Sequence, residues 1–269
     1  MKSKIALAQT NACEKAGSNA QKAEQLIREA AEKECALVVF PEIYLSAFSD
    51  GASLKDKRKA AMGLDGEAVC RIRRAATENN IWVIFGMYSP APGDLKGRNL
   101  NRTVIVDGKG NIAGIYDKTH LYDAFSYKES DYNAAGDKLF EPIDTPIGKV
   151  GLMVCYELRF PEVARYQTLK GADIIIVPTA WFDGKGKAEQ LRILTTARAI
   201  ENTVYVAMCD MCGDGRVGES VVLDPLGRTL VKAGRGEELL ICDIDTEKIK
   251  KVREMVPSLA GRRPELYKY

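Results

Sequence analysis

The stretch Gly151–Glu162, reading G-L-M-V-C-Y-E-L-R-F-P-E, decides how the rest of the chain is read. Its apolar, β-branched opening follows the turn residues Pro146 and Gly148, the pattern of a buried strand. Pro161 and Glu162 then open a helix, because proline suits the first helical turn and an acid there complements the helix dipole. Cys155 falls where strand gives way to turn. A thiol at that point faces the amides of the following segment, whose partial positive charge favours a thiolate. A cysteine is equally at home as a small buried hydrophobe. This stretch alone does not choose between nucleophile and core.

Outward from it, strands and helices alternate. Lys4–Gln9 and Ala36–Phe40 read as strands, the second stopping at Pro41 and delivering Glu42 at its end. Between them Ser18 and Gln21 form a capping-box pattern, and Ala20, Ala23, Ile27, Ala30 and Ala31 share one helical stripe. A helix is predicted over Asp65–Asn80 and a strand over Ile81–Tyr88. Asn101–Asp107 and Asn111–Lys118 form a hairpin through Gly108-Lys-Gly110 and bring Lys118 to a strand terminus. The aromatic, polar Tyr122–Lys138 segment reads as an irregular loop over a site. Beyond Cys155 come a helix over Pro161–Lys170, a strand over Asp173–Val177 and a helix over Lys187–Asn202. Strands follow at Thr203–Met208, Ser220–Leu223 and Leu239–Ile244. No composition shift or linker divides residues 1–269, so one α/β domain is expected, built as two similar halves packed together.

Composition prunes the chemistry. Thirty-nine basic residues against 37 acidic ones give a net charge of +2, so no global field points to nucleic acid or membrane. The apolar start is too short for a signal peptide, and no apolar run approaches the length of a membrane span. Seven scattered cysteines, an odd number, read as reduced thiols of a cytoplasmic protein. His120 is the single histidine, so a multi-histidine metal site cannot be built. Cys209 and Cys212 form a lone C-x-x-C closing a strand and are read as incidental. Gly213–Gly218 spells G-x-G-x-x-G but runs into a strand instead of a helix, and reads as a flexible connection. Lys185-Gly-Lys187 has no Walker frame and reads as solvated surface. No metal and no cofactor are expected.

Glu42, Lys118 and Cys155 remain, each at a separate strand end, where open α/β sheets place their ligands. Taken singly, each suits a structural or solvated role. Together they can perform acyl transfer. A carboxylate shielded from water can serve as the base that activates a thiol. A fixed ammonium with a backbone amide can stabilise the oxyanion formed on attack at a carbonyl.

These residues also carry a resemblance. Pro41-Glu42, Lys118-Thr-His120-Leu and Gly151–Glu162 resemble the nitrilase superfamily of carbon–nitrogen hydrolases. The likeness continues through Pro178-Thr-Ala-Trp181, Ala197–Asn202 and Asp224-Pro-Leu-Gly227, and so covers nearly the whole chain. It implies a four-layer αββα sandwich, dimerised through helices on the face that bears the nucleophile's turn. It also implies Glu42 as general base, Lys118 as oxyanion stabiliser, Cys155 as nucleophile and Glu129 as a second, positioning glutamate. Tyr156, through its amide, and Trp181 are expected in the substrate site. Within the superfamily the chain most resembles the amidase branch that includes ω-amidase and deaminated-glutathione amidase. Glu157 departs from the C-Y-D-x-R-F usual there, and Asp123–Lys128 lacks the usual Pro-Gly, which leaves the substrate open. Arg159 either binds a substrate carboxylate as a planar fork or makes a structural ion pair. Hydrolysis of a small linear amide is the expectation; N-carbamoyl amino-acid or nitrile hydrolysis, or a binding role without catalysis, are its rivals.

Overall fold

The computed structural model describes residues 2–48 and 52–267. The first half runs through β1 (Lys2–Gln9), α1 (Ala16–Glu32), β2 (Leu37–Val39), α2 (Leu54–Lys59), α3 (Glu67–Glu78), β3 (Trp82–Pro90), β4 (Asn99–Val106) and β5 (Ile112–Asp117). Short strands β6 (Asp123–Ala124), β7 (Tyr127–Lys128) and β8 (Asn133–Ala134) lead into the second half. That half comprises β9 (Ile143–Thr145), β10 (Gly148–Leu152), α4 (Pro161–Leu169), β11 (Ile174–Thr179), α5 (Lys187–Asn202), β12 (Tyr205–Asp210), β13 (Val221–Leu223) and β14 (Thr229–Lys232). The chain then returns to the first sheet as β15 (Glu238–Asp245) and continues into α6 (Glu247–Met255).

The strand order is β15-β1-β2-β3-β4-β5 in one sheet, with β8 beside β4, and β14-β13-β12-β11-β10-β9 in the other. Each sheet has three parallel central strands, β1-β2-β3 and β10-β11-β12, flanked by antiparallel ones. The expected pair of similar halves is therefore present in the topology.

Two-residue periodicity sorts the side chains between layers. Leu37 and Val39 of β2 join Ile5, Leu7 and Ile84 in packing against Val150, Leu152, Ile174 and Ile176 of the other sheet. The intervening Val38, with Phe40 just beyond, packs instead against Ala23 and Ile27 of α1 and Val69 and Ile72 of α3. In the second half Ile175 and Val177 face Val163 of α4 and Leu191 and Ala199 of α5. Helix, sheet, sheet and helix thus form the αββα layers. Central strands buried on both faces read as unbroken apolar runs, which is why D-I-I-I-V and A-L-V-V-F were legible. Each such side chain contributes roughly 1.5–3 kcal/mol by leaving water. No helix among the described residues is long and apolar enough to cross a membrane.

Two local expectations are corrected. Helix α1 starts at Ala16, ahead of Ser18, and its N-cap Lys15 makes no side-chain cap. Asn19 ties the entry instead: its amide pairs with both the N–H and the C=O of Cys13 and reaches Tyr44 O. Tyr122–Lys138 is not wholly irregular, since it holds the β6–β7 hairpin, a turn of 3-10 helix at Glu129–Asp131, and β8. Helices α2 and α6 were not foreseen. The first is six residues long with one buried side chain, Lys57, and the second buries only Ile249 and Val252, so neither offers a clear apolar stripe.

Candidate active site

Glu42 lies three residues beyond β2, and Ile43 after it has φ +49°, a left-handed conformation that a β-branched residue seldom adopts. Gly86 of β3 makes this local path fit. A Cβ there would stand 2.3 Å from Ile43 N and 2.9 Å from Glu42 Cα. Lys118 follows β5 directly, and Glu129 opens the 3-10 turn between β7 and β8. Cys155 begins another 3-10 turn just past β10, and its φ of +46° is again left-handed. Cys155 itself, and the residue directly after Glu42, are thus in left-handed backbone conformations.

Glu42, Lys118 and Glu129 are buried and bonded to one another. Lys118 Nζ donates to Glu42 Oε1 and Glu129 Oε2, at 2.9 Å in each case. Asn101 Nδ2 donates to Oε1 of both glutamates, at 2.8 and 3.0 Å. Glu42 Oε2 accepts from Ala180 N at 3.0 Å, whereas Glu129 also accepts from Tyr122 N at 2.7 Å and Asn133 Nδ2 at 3.0 Å. Burial works against a charged Lys118, but the Glu129 and Glu42 carboxylates outweigh it and hold the ammonium well above its usual range. Burial likewise works against a charged Glu129; Lys118, with the amides of Asn101 and Tyr122, brings that carboxyl below its usual value. Two anions around one cation leave the cluster short of positive charge.

Burial, more than this imbalance, works against the thiolate that the turn amides would favour. Burial, followed by the Glu42 carboxylate, pushes the Cys155 thiol well above its ordinary value, and Lys118 offsets only part of this. The turn amides do not win. Cys155 rests protonated and needs a base to react.

All four residues line one cleft, whose empty space, part of it open to solvent, is about 550 Å3. Tyr156 and Trp181 line it, with Phe48, Tyr88, Tyr122, Tyr127, Tyr132 and Phe182. Arg159 does not form part of this wall. Its guanidinium donates to Gln190 Oε1 at 2.7 Å and lies 5.4 Å from the Trp181 ring centre. Besides Lys118, the wall carries two cations, Lys187 and Arg216, both in stretches that had been read as surface or connection. Lys187 opens α5 and reaches Tyr122 Oη at 3.2 Å; Arg216 stacks 4.2 Å from the centre of the Phe182 ring. Asn101 and Asn133 were also missed, although amides inside strand segments with buried neighbours were a usable signal. Among the described residues no group of three or more His, Cys, Asp or Glu side chains could hold a metal ion.

The carbon–nitrogen hydrolase family model matches residues 4–254. The deaminated glutathione amidase of Escherichia coli O157:H7 is 36% identical over 245 residues, 91% of each chain. Mouse omega-amidase NIT2 is 31% identical over 274 residues, 98% of this chain and 96% of that protein. Among solved structures, Caenorhabditis elegans NitFhit superposes with a TM-score of 0.91 at 30% identity, over 99% of this chain and 66% of that one. A Helicobacter pylori G27 carbon–nitrogen hydrolase gives 0.89 at 29% identity, over 99% and 97% of the two chains. The fold is that of the nitrilase superfamily, and the chain belongs to the carbon–nitrogen hydrolase family as an amidase-type enzyme.

Proposed function

We propose that the enzyme hydrolyses a small linear amide bearing a carboxylate, through a thioester on Cys155. The observation that carries this reading is the shared cavity of a protonated thiol and the Glu42–Lys118–Glu129 cluster. Glu42 takes the Cys155 proton, and the sulfur attacks the amide carbon. The carbonyl oxygen becomes an oxyanion held by Lys118 Nζ and the Tyr156 amide. As the tetrahedral species collapses, the C–N bond breaks and Glu42 returns the proton to the leaving ammonia. Water then enters, gives a proton to Glu42 and attacks the thioester; the carboxylic acid leaves and the thiol is restored. Glu129 keeps Lys118 in place throughout.

Support for an anionic substrate comes from Lys187 and Arg216 in an otherwise largely aromatic wall. Partial burial, then the nearby Arg159 charge, lowers the Lys187 pKa, a strain that a substrate carboxylate would relieve. The half-exposed Leu169 of α4 and Ile193 and Ile200 of α5 support pairing of two copies through this helical face, which light scattering of the purified protein tests. Seven free thiols suit a reducing compartment, the cytoplasm expected above.

The activity test is ammonia release from succinamate, from its uncharged counterpart butyramide, from an N-carbamoyl amino acid and from butyronitrile, with Cys155→Ala as control. Succinamate is expected to be turned over well ahead of butyramide. Equal rates for the two would remove the carboxylate from the reading, and release only from the carbamoyl compound or the nitrile would replace the amide.

A further inference from the structure

Glu157 stands two residues after the nucleophile and outside the cavity, fully buried, with no part in the steps above. Its two oxygens nonetheless join the surroundings of the lysine to those of the cysteine. Oε1 accepts from Tyr116 Oη at 2.7 Å, from Thr119 N at 2.8 Å and from Thr119 Oγ1 at 2.7 Å, with His120 N further off at 3.3 Å. Oε2 accepts from Val154 N at 2.8 Å. Tyr116 and Thr119 bracket Lys118 from either side, and Val154 immediately precedes Cys155. The lysine belongs to the first sheet and the cysteine to the second, so nothing in the ladder of either sheet sets their separation.

We propose that Glu157 is a positioning residue that fixes Cys155 relative to Lys118 across the gap between the two sheets. Four close donors converge on a group with no access to water, so the bonds are strong and any loss leaves buried partners unsatisfied. Burial would raise its pKa, but the donors from His120, Thr119, Tyr116 and Val154 outweigh it, and the carboxyl lies below its usual range. It therefore stays an acceptor on both oxygens. Glu157 thus bears on the spacing of the two halves of the site and lies outside the substrate wall.

This inference rests on Cys155 and Lys118 being the reacting pair. The test separates the two ideas by using 2-iodoacetamide, itself a small amide, and mapping the rate of carbamidomethylation at each cysteine. In the wild type, Cys155 is expected to be labelled ahead of Cys13, which is exposed and lies outside the site. Glu157→Gln sets an amide nitrogen against a donor and is expected to slow labelling of Cys155 roughly tenfold or more, the scale of a small misplacement of reacting groups. Cys13 labelling should be unchanged, and Glu157→Asp should recover part of the rate. The kcat for succinamate should fall in parallel with little change in KM and none in the shape of the pH profile. Labelling of Cys155 in Glu157→Gln within twofold of wild type, with only the melting temperature lowered, would overturn the proposal and leave Glu157 a structural group. Wild-type protein in which Cys155 is labelled no faster than Cys13 would instead bring down the active-site reading itself.

Discussion

Replacing Lys118 with methionine deletes the one cation of the buried cluster while keeping the length of its apolar stem. Each Lys118 contact, at 2.9 Å, is worth about 6 kcal/mol of direct attraction at an effective dielectric constant near 20. Most of this is offset by the desolvation of the three groups, so the net loss is set by what the mutation leaves behind. Removing one partner of a buried charge group costs about 3–5 kcal/mol, because Glu42 and Glu129 would face each other with only amides between them. The pair relieves itself by binding a proton, and a carboxylate that holds a proton cannot act as the base. The sign follows from Glu129: Lys118 helps hold its carboxyl below the usual value, so without the ammonium Glu129 takes up a proton at higher pH and the acid limb of the rate profile moves to higher pH. The loss of an oxyanion donor alone lowers kcat by roughly 10²-fold or more. KM should change much less, because the ground-state carbonyl carries little charge. Lys118→Arg should also be poor, since a broad fork does not occupy the place of a compact ammonium. The assay is ammonia release as a function of pH, with thermal unfolding on the same samples. A folded Lys118→Met enzyme with near-wild-type kcat and an unmoved acid limb would refute the reasoning and remove Lys118 from the site.

Three further outcomes are expected. Gly86→Ala should lower both the melting temperature and kcat, because its methyl group would meet Ile43 N and displace Glu42; calorimetry with an activity assay reads both, and a fully active, equally stable variant would contradict it. Wild-type protein mixed with succinamate and quenched rapidly in acid should show an acyl adduct on Cys155 by intact-mass and peptide mapping, and Glu42→Gln, which lacks the base that takes the thiol proton, should not; an adduct on Cys209 or Cys212 would refute the assignment. Glu129 and Glu157 both have carboxyls held below the ordinary glutamate value in the folded state, so the stability they contribute is complete above that value and is lost as the pH falls through their lower folded values. Urea unfolding at decreasing pH should show this loss, and Glu129→Gln should show less of it.

Glu42, Lys118 and Cys155 were legible because each follows a strand and precedes a turn, so its place could be read from its own neighbours; the strands before Glu42 and Cys155 are apolar runs, and the one before Lys118 alternates. Glu129 was reached only through resemblance, since its 3-10 turn lies in a segment with no periodic pattern. Lys187 and Arg216 were passed over for a different reason. Neither has a local signal, and both enter the cavity only because α5 begins, and the β12–β13 connection turns, at the same end of the second sheet. Arg159 had the better local argument, yet the turn after Cys155 directs it towards Gln190. The role of Asn101 depends on β4 lying beside β5, where its carbonyl accepts from Lys118 N while its amide reaches both glutamates. Position along the chain told which residues end a strand; partners contributed by other strands did not show until the sheets were assembled.

The resting state of Cys155 has a consequence for how the protein ages in an oxidising cell. Peroxide attacks thiolates, so the cysteines that activate themselves by a low pKa are also the first to become sulfenic and sulfinic acids. Here burial, with the Glu42 carboxylate, favours the proton on sulfur, and in the proposed mechanism ionisation is deferred until Glu42 removes it in front of a bound carbonyl. The nucleophile is thereby disarmed between turnovers. The same negative charge that forces the enzyme to employ a base shields its sulfur from oxidants, so inactivation by peroxide should track the fraction of time spent in turnover more closely than the time of exposure.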